Sequence, residues 1–137
     1  MQLFLLLITF IGNLNNTSSV KLPPEKILHI KVDEAGTISV GRDTLLADDL
    51  ARYVQQRLFK SYISTGEMHS KIKLERISND VPDMVVEVVI KEIQEGQRRA
   101  LTELCIFRYK KLFDNIEERK QDKLRKQFPV LFQTDYS

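Results

Sequence analysis

The stretch ILHIKVDEAGTISVGRDTLLADDLARYVQQRLFKSY (residues 27–62) changes its hydrophobic period once, and that change sets the fold class. In its first part Leu28, Ile30 and Val32 alternate with His29, Lys31 and Asp33, the period of two that marks a half-buried strand. Glu34-Ala35-Gly36 supplies a short turn with a glycine free to take positive φ, and residues 37–40 (TISV) alternate again. This predicts a β-hairpin, after which Gly41-Arg42-Asp43 turns the chain. From Thr44 the period lengthens. Leu50, Val54 and Leu58 stand four apart, with Leu46 one turn earlier and Ala51 beside them. Asp48 and Asp49 fall in the first turns and Arg57 and Lys60 near the last, which complements the helix dipole, so a helix over 44–62 is expected.

Toward the C-terminus, residues 64–70 read as a loop containing Gly66, and residues 71–74 (KIKL) as a third strand. Asp80-Val81-Pro82-Asp83 has the form of a helix start, with a capping Asp and a proline in the first turn. The following MVVEVVIKEI is rich in β-branched residues, yet Val85, Val89 and Ile93 recur every four and the pattern continues to Phe107, well beyond strand length. A long helix is expected, with Gly96 inside it at a cost of about 1 kcal/mol relative to Ala. Residues 114–127 (DNIEERKQDKLRKQ) suggest a short charged helix, acids early and bases late. The apolar tail Phe128-Pro129-Val130-Leu131-Phe132 must lie on the domain or on a partner.

Toward the N-terminus, residues 1–14 (MQLFLLLITFIGNL) hold no charged side chain, and a polar linker, residues 15–25, follows and contains Pro23-Pro24. Fourteen helical residues cover only about two-thirds of a hydrocarbon layer of roughly 30 Å. Three readings stand for this run: a signal-peptide core, a buried helix, or part of a transmembrane helix. The first lacks a basic flank and an Ala-x-Ala cleavage site. The expected organisation is a partial transmembrane helix (1–14), a linker (15–25), a small two-layer α+β domain (26–108) and a C-terminal helix and tail (109–137).

The balance of 21 basic and 19 acidic side chains, a formal net charge of +2, gives little support to nucleic-acid binding. Between Arg98 and Lys126 there are ten bases and five acids, but the acids are interspersed and the apolar spacing explains the aromatics there as core. One cysteine, Cys105, excludes an internal disulfide, and its neighbours Leu104, Ile106 and Phe107 point to a buried thiol. Of the two histidines, His29 falls on the polar face of a strand and His69 in a loop with only Glu67 nearby, too little for a metal site. Asp48-Asp49 and Glu117-Glu118 are adjacent pairs that project about 100° apart on a helix, so neither forms an acid–base dyad. No phosphate loop, nucleophile elbow or CxxC motif is present, and no enzyme, cofactor or metal is expected.

The order of parts, namely FLLLITF, Lys21-Leu22-Pro23, the hairpin and helix of residues 27–58, and the tail FRYKKLFDNIEERKQDKLRKQFPVLF, resembles the ExbD/TolR family, in its long-tailed ExbD variety. The resemblance implies a single-pass inner-membrane protein with its folded domain in the periplasm. It also implies a role as a dimeric subunit which, with an ExbB-like channel subunit, couples proton flow to a TonB-like protein serving outer-membrane uptake. The family carries a proton-bearing Asp near the start of its membrane helix. Residues 1–14 contain no Asp or Glu, so no residue here inherits that role, and a late start of the chain is the favoured reading over a relative that lost coupling.

Partner contact is expected through strand edges, whose unpaired backbone groups accept an added strand. The linker strand at Val20, Lys21, Leu22 and Pro23 of a dimer mate, or an extended TonB-like segment, would supply it. Two other readings are kept: an envelope module that binds peptidoglycan, and a secreted soluble interaction domain.

Overall fold

The structure, a computed structural model, describes residues 26–137. The apolar run 1–14, the linker 15–25 and the expected contact residues Val20, Lys21, Leu22 and Pro23 lie outside the described residues.

Among the described residues the fold is α+β, a mixed four-stranded sheet with three α-helices. Strands β1 (Ile27–Val32) and β2 (Ile38–Val40) form the expected hairpin, with Lys31 opposite Ser39 and Val32 opposite Ile38. The Asp33 carboxylate closes its turn by accepting the N–H groups of Ala35 and Thr37 at 3.0 and 2.9 Å, and Gly36 takes φ +82°.

After Gly41 the chain does not enter the helix at Thr44, as the period implies. Residues Asp43–Leu45 form β3, antiparallel to β2, and α1 spans Ala47–Thr65. Pairing of Thr44 with Ser39 and Leu45 with Ile38 holds these residues extended against their helical spacing. Leu46 therefore occupies the cap position, exposed, and is no part of the buried stripe. At the other end Gly66, φ +81°, donates its N–H to Tyr62 O at 2.7 Å.

Strand β4 (Lys71–Arg76) runs parallel to β1, from Ile27 opposite Lys71 to Val32 opposite Arg76. The sheet order β3-β2-β1-β4 puts both hairpin strands inside the sheet, so the hairpin itself has no free edge. Helix α2 spans Asp83–Tyr109. Its cap position is Pro82, with no side-chain cap; Asp80 lies outside the helix, contrary to its expected capping role. Arg76 organises this start instead, donating to Val81 O at 2.9 Å and to Asp83 Oδ1 at 2.6 Å.

Helices α1 and α2 cover one sheet face. Leu50, Val54 and Leu58 of α1 and Val89, Ile93 and Leu104 of α2 are buried against Leu28, Ile30, Val32, Ile38 and Ile72. Each large apolar side chain removed from water contributes about 1.5–3 kcal/mol, set against ordering entropy. A 3-10 turn (Phe113–Asn115), α3 (Glu118–Gln127) and a second 3-10 turn (Pro129–Phe132) follow. The expected helix from residue 114 begins only at 118 because Ile116, extended at φ −92° and ψ 161°, is drawn into the core. The apolar tail lies on the domain: Phe128, Val130, Leu131 and Tyr136 join the same core as the sheet and helices. Among the described residues no helix is long and apolar enough to cross a membrane.

Candidate functional site

The chemistry-bearing side chains are scattered. His29 is exposed on the sheet face away from the helices, opposite Lys73 in register, as its strand phase implies. His69 is in the expected loop but buried, beside a cleft shared with Lys126, Phe128 and Pro129. Cys105 is fully buried on α2; burial pushes its thiol above the ordinary value, against a smaller opposing effect of Arg108. Asp49 is engaged by Arg52 at 3.1 Å. Among the described residues no group of three or more His, Cys, Asp or Glu side chains is close enough to hold a metal ion.

Two sheet edges remain after the hairpin is enclosed, and they differ. The outer edge of β4 is occupied by the C-terminal segment. Leu74 N–H donates to Tyr136 O at 2.8 Å, and the Gln133 carboxamide takes both backbone groups of Ile72, accepting its N–H at 2.8 Å and donating to its carbonyl at 2.7 Å. Gln97, only 3% exposed, anchors this segment from α2 by donating to Val130 O at 2.7 Å and accepting the Tyr136 hydroxyl at 2.6 Å. Burial raises the Tyr136 phenol above its usual range, so the hydroxyl keeps the proton it donates.

Among the described residues no strand pairs with the outer edge of β3, which is exposed at Asp43 and Thr44. Tyr53 ties it to α1 by donating to Asp43 Oδ2 at 2.6 Å while accepting from Arg57 at 2.6 Å. Burial, followed by the bond to Asp43, raises the Tyr53 phenol, and the nearby Arg57 opposes this. Ser39 and Thr44 face one another next to the tightly turned pair Val40 and Asp43, so the ladder alternation leaves the Thr44 backbone groups facing outward.

Two residues beyond β3, Ala47 forms one wall of an apolar groove of about 290 Å³, with Ala35 and Gly36 of the hairpin turn and Met84, Val85, Val88 and Val89 of α2. Met84 is 74% exposed and Leu46 64%. Such a groove accepts apolar side chains of a partner; its lining offers no side-chain proton donor or nucleophile.

Sequence periodicity identifies the core stripe of α2 but not this groove. Its one legible signal is the surplus of apolar residues at 84–90 beyond what a single stripe needs. The roles of Gln97, Gln133 and Tyr136 left no local pattern at all. Compared with protein-family models, with curated proteins and with solved structures, the chain finds no match.

Proposed function

We propose that this chain is an ExbD-like subunit of a TonB-type energy-transduction complex, anchored in the inner membrane with its α+β domain in the periplasm and acting through protein–protein contact. In this reading it works as a homodimer with an ExbB-like channel subunit, and it supports outer-membrane uptake through a TonB-like protein. The reading rests on the order of parts in the sequence. The observation that supports it is the outer edge of β3, exposed at Asp43 and Thr44, with the apolar groove at Ala47, Met84 and Val88 as a second exposed surface. An extended TonB-like segment laid on β3 gains main-chain hydrogen bonds from the edge, and the groove offers a separate seat for an apolar side chain of the partner. The Val20, Lys21, Leu22 and Pro23 segment of a dimer mate is the competing occupant.

The test is capture of the periplasmic segment of a TonB-like protein by the full chain. Thr44→Pro removes the outward N–H, and Met84→Glu places a charge in the groove. Each is expected to abolish capture while the far-ultraviolet circular dichroism stays unchanged. Absence of capture by the unaltered chain, or capture indifferent to both substitutions, overturns the reading.

A further inference from the structure

We propose that the end of the domain from which the N-terminal segment departs seats on an anionic bilayer surface, with Phe107 and Leu112 entering the lipid among a cluster of bases. This deepens the membrane-anchored reading above and rests on it only for the anchor.

The topology gathers the relevant residues at one end. Strands β1 and β4 are parallel, so Lys26 and Lys71 mark the same end of the sheet, where the Ser70 N–H bonds the Lys26 carbonyl at 2.6 Å. Helix α1 leads from β3 down to β4 and finishes there, and α2 follows β4 and returns to it. Their last turns meet: the Phe107 ring stands edge-on to Phe59 and Tyr62, with centroids at 5.9 and 6.2 Å. The tail closes on the same place, with Phe128 edge-on to Tyr62 at 5.4 Å and Arg108 donating to Gln127 Oε1 at 3.3 Å.

This end is both apolar and basic. Phe107 is 54% exposed and Leu112 50%, with Ile63 and Ile106 also exposed. Between Phe107 and Leu112 stand Arg108, Lys110 and Lys111; Lys110 takes φ +60° and ends α2, donating its N–H to Ile106 O, with Lys110, Lys111 and Leu112 exposed. Helix α3 adds five bases against two acids, with Asp114 and Glu117 just before it and with Arg119 and Arg125 engaged by Glu117 and Asp122, so the bases remain in surplus. The opposite end carries Asp33, Glu34, Asp48, Asp49 and Glu87, and its Arg52 and Arg76 are engaged by Asp49 and Asp83. The small net charge thus conceals a separation of charge along the molecule. Exposed aromatic and aliphatic side chains set among lysines and arginines are the pattern of a surface that dips into an anionic interface.

A bilayer is favoured over a protein as the occupant because of how the chain continues. The uncharged run 1–14 joins this end through residues 15–25, and these eleven residues span at most about 40 Å. A bilayer holding that run is therefore within reach of the Lys110–Leu112 turn, and its anionic lipids match the charge.

The chain contains no tryptophan, so an introduced one reports its own surroundings. The chain of residues 1–137 carrying Leu112→Trp, or Met84→Trp at the opposite end, is to be reconstituted in vesicles with brominated acyl chains, made of phosphatidylcholine alone or with added phosphatidylglycerol. Quenching at position 112 is expected with phosphatidylglycerol. It should fade in high salt and fall when Lys110→Glu and Lys111→Glu are combined, each base lost weakening surface association by about fivefold. The tryptophan at position 84 is expected to stay unquenched.

No quenching at 112, equal quenching at 84 and 112, or the same quenching at 112 without phosphatidylglycerol would each overturn the proposal. Retention of the protein by neutral vesicles reads the anchor separately. Failure of the TonB-type reading appears only in the capture experiment, which shares no component with the vesicles.

Discussion

Gly96 of α2 lies against Val54 of α1 so closely that a Cβ on Gly96 would fall 2.6 Å from the Val54 Cβ, and 2.7 Å from the Ala51 carbonyl oxygen. Helix propensity alone favours alanine at this position by about 1 kcal/mol. The contact reverses that preference, because neither a backbone carbonyl nor a β-branched side chain in the core can give way. Gly96→Ala is expected to destabilise the fold by about 1–3 kcal/mol, read as a lower urea midpoint with an unchanged slope. A stabilised variant would mean that the two helices are not this close.

The buried bond from the Tyr136 hydroxyl to Gln97 Oε1 supports a second expectation. Tyr136→Phe keeps the ring and leaves the carboxamide oxygen of Gln97 without this donor, at a cost of about 1–3 kcal/mol. The loss should also release the segment along β4, so that amide hydrogen exchange at Leu74, whose N–H bonds Tyr136 O, quickens before that at Ile30 in the sheet centre.

Phe128 couples the tail to α1 through Tyr62 and is almost fully buried. Phe128→Ala is expected to cost about 3–5 kcal/mol, as for other core aromatics. Calorimetry would register a single lowered transition of the whole domain if the tail folds with it, and two separate transitions if it does not.

Glu95 accepts hydrogen bonds from Arg98 and Arg99, which hold its carboxyl down to about 2 from the usual 4.5. A carboxylate with a depressed folded pKa contributes stability that is complete above pH 4.5 and is lost as the pH falls toward 2. The side chain is 34% exposed at the surface, and screening limits its contribution to about 0.5–1 kcal/mol. Glu95→Gln should remove that part of the acid dependence while leaving stability below pH 2 unchanged, as followed by denaturant titration across this range.

Much of the fold is legible in single stretches. The alternation of Leu28, Ile30 and Val32 and the fourfold spacing of Leu50, Val54 and Leu58 locate the hairpin and α1, since each pattern states which face is buried regardless of what buries it. The long period from Val85 to Phe107 locates α2 in the same way. Boundaries yield where a partner strand competes. Thr44 and Leu45 satisfy a helical period and are nevertheless paired in β3, because ladder bonds to Ser39 and Ile38 hold them there.

The candidate surfaces are less legible, for a physical reason. Met84 and Val88 look like further core residues until α1 and the hairpin turn are set beside them and leave a groove uncovered. Lys110, Lys111 and Leu112 look like an ordinary helix end until parallel pairing of β1 and β4 brings Lys26 and Lys71 to the same side. The sequence alone determined which residues avoid water and with what period, because those are properties of side chains in order along one chain. Only the tertiary structure decided which edge stays open, why Gly96 must be glycine, and which end gathers the bases, because each of these depends on distances between segments that the order of residues does not specify.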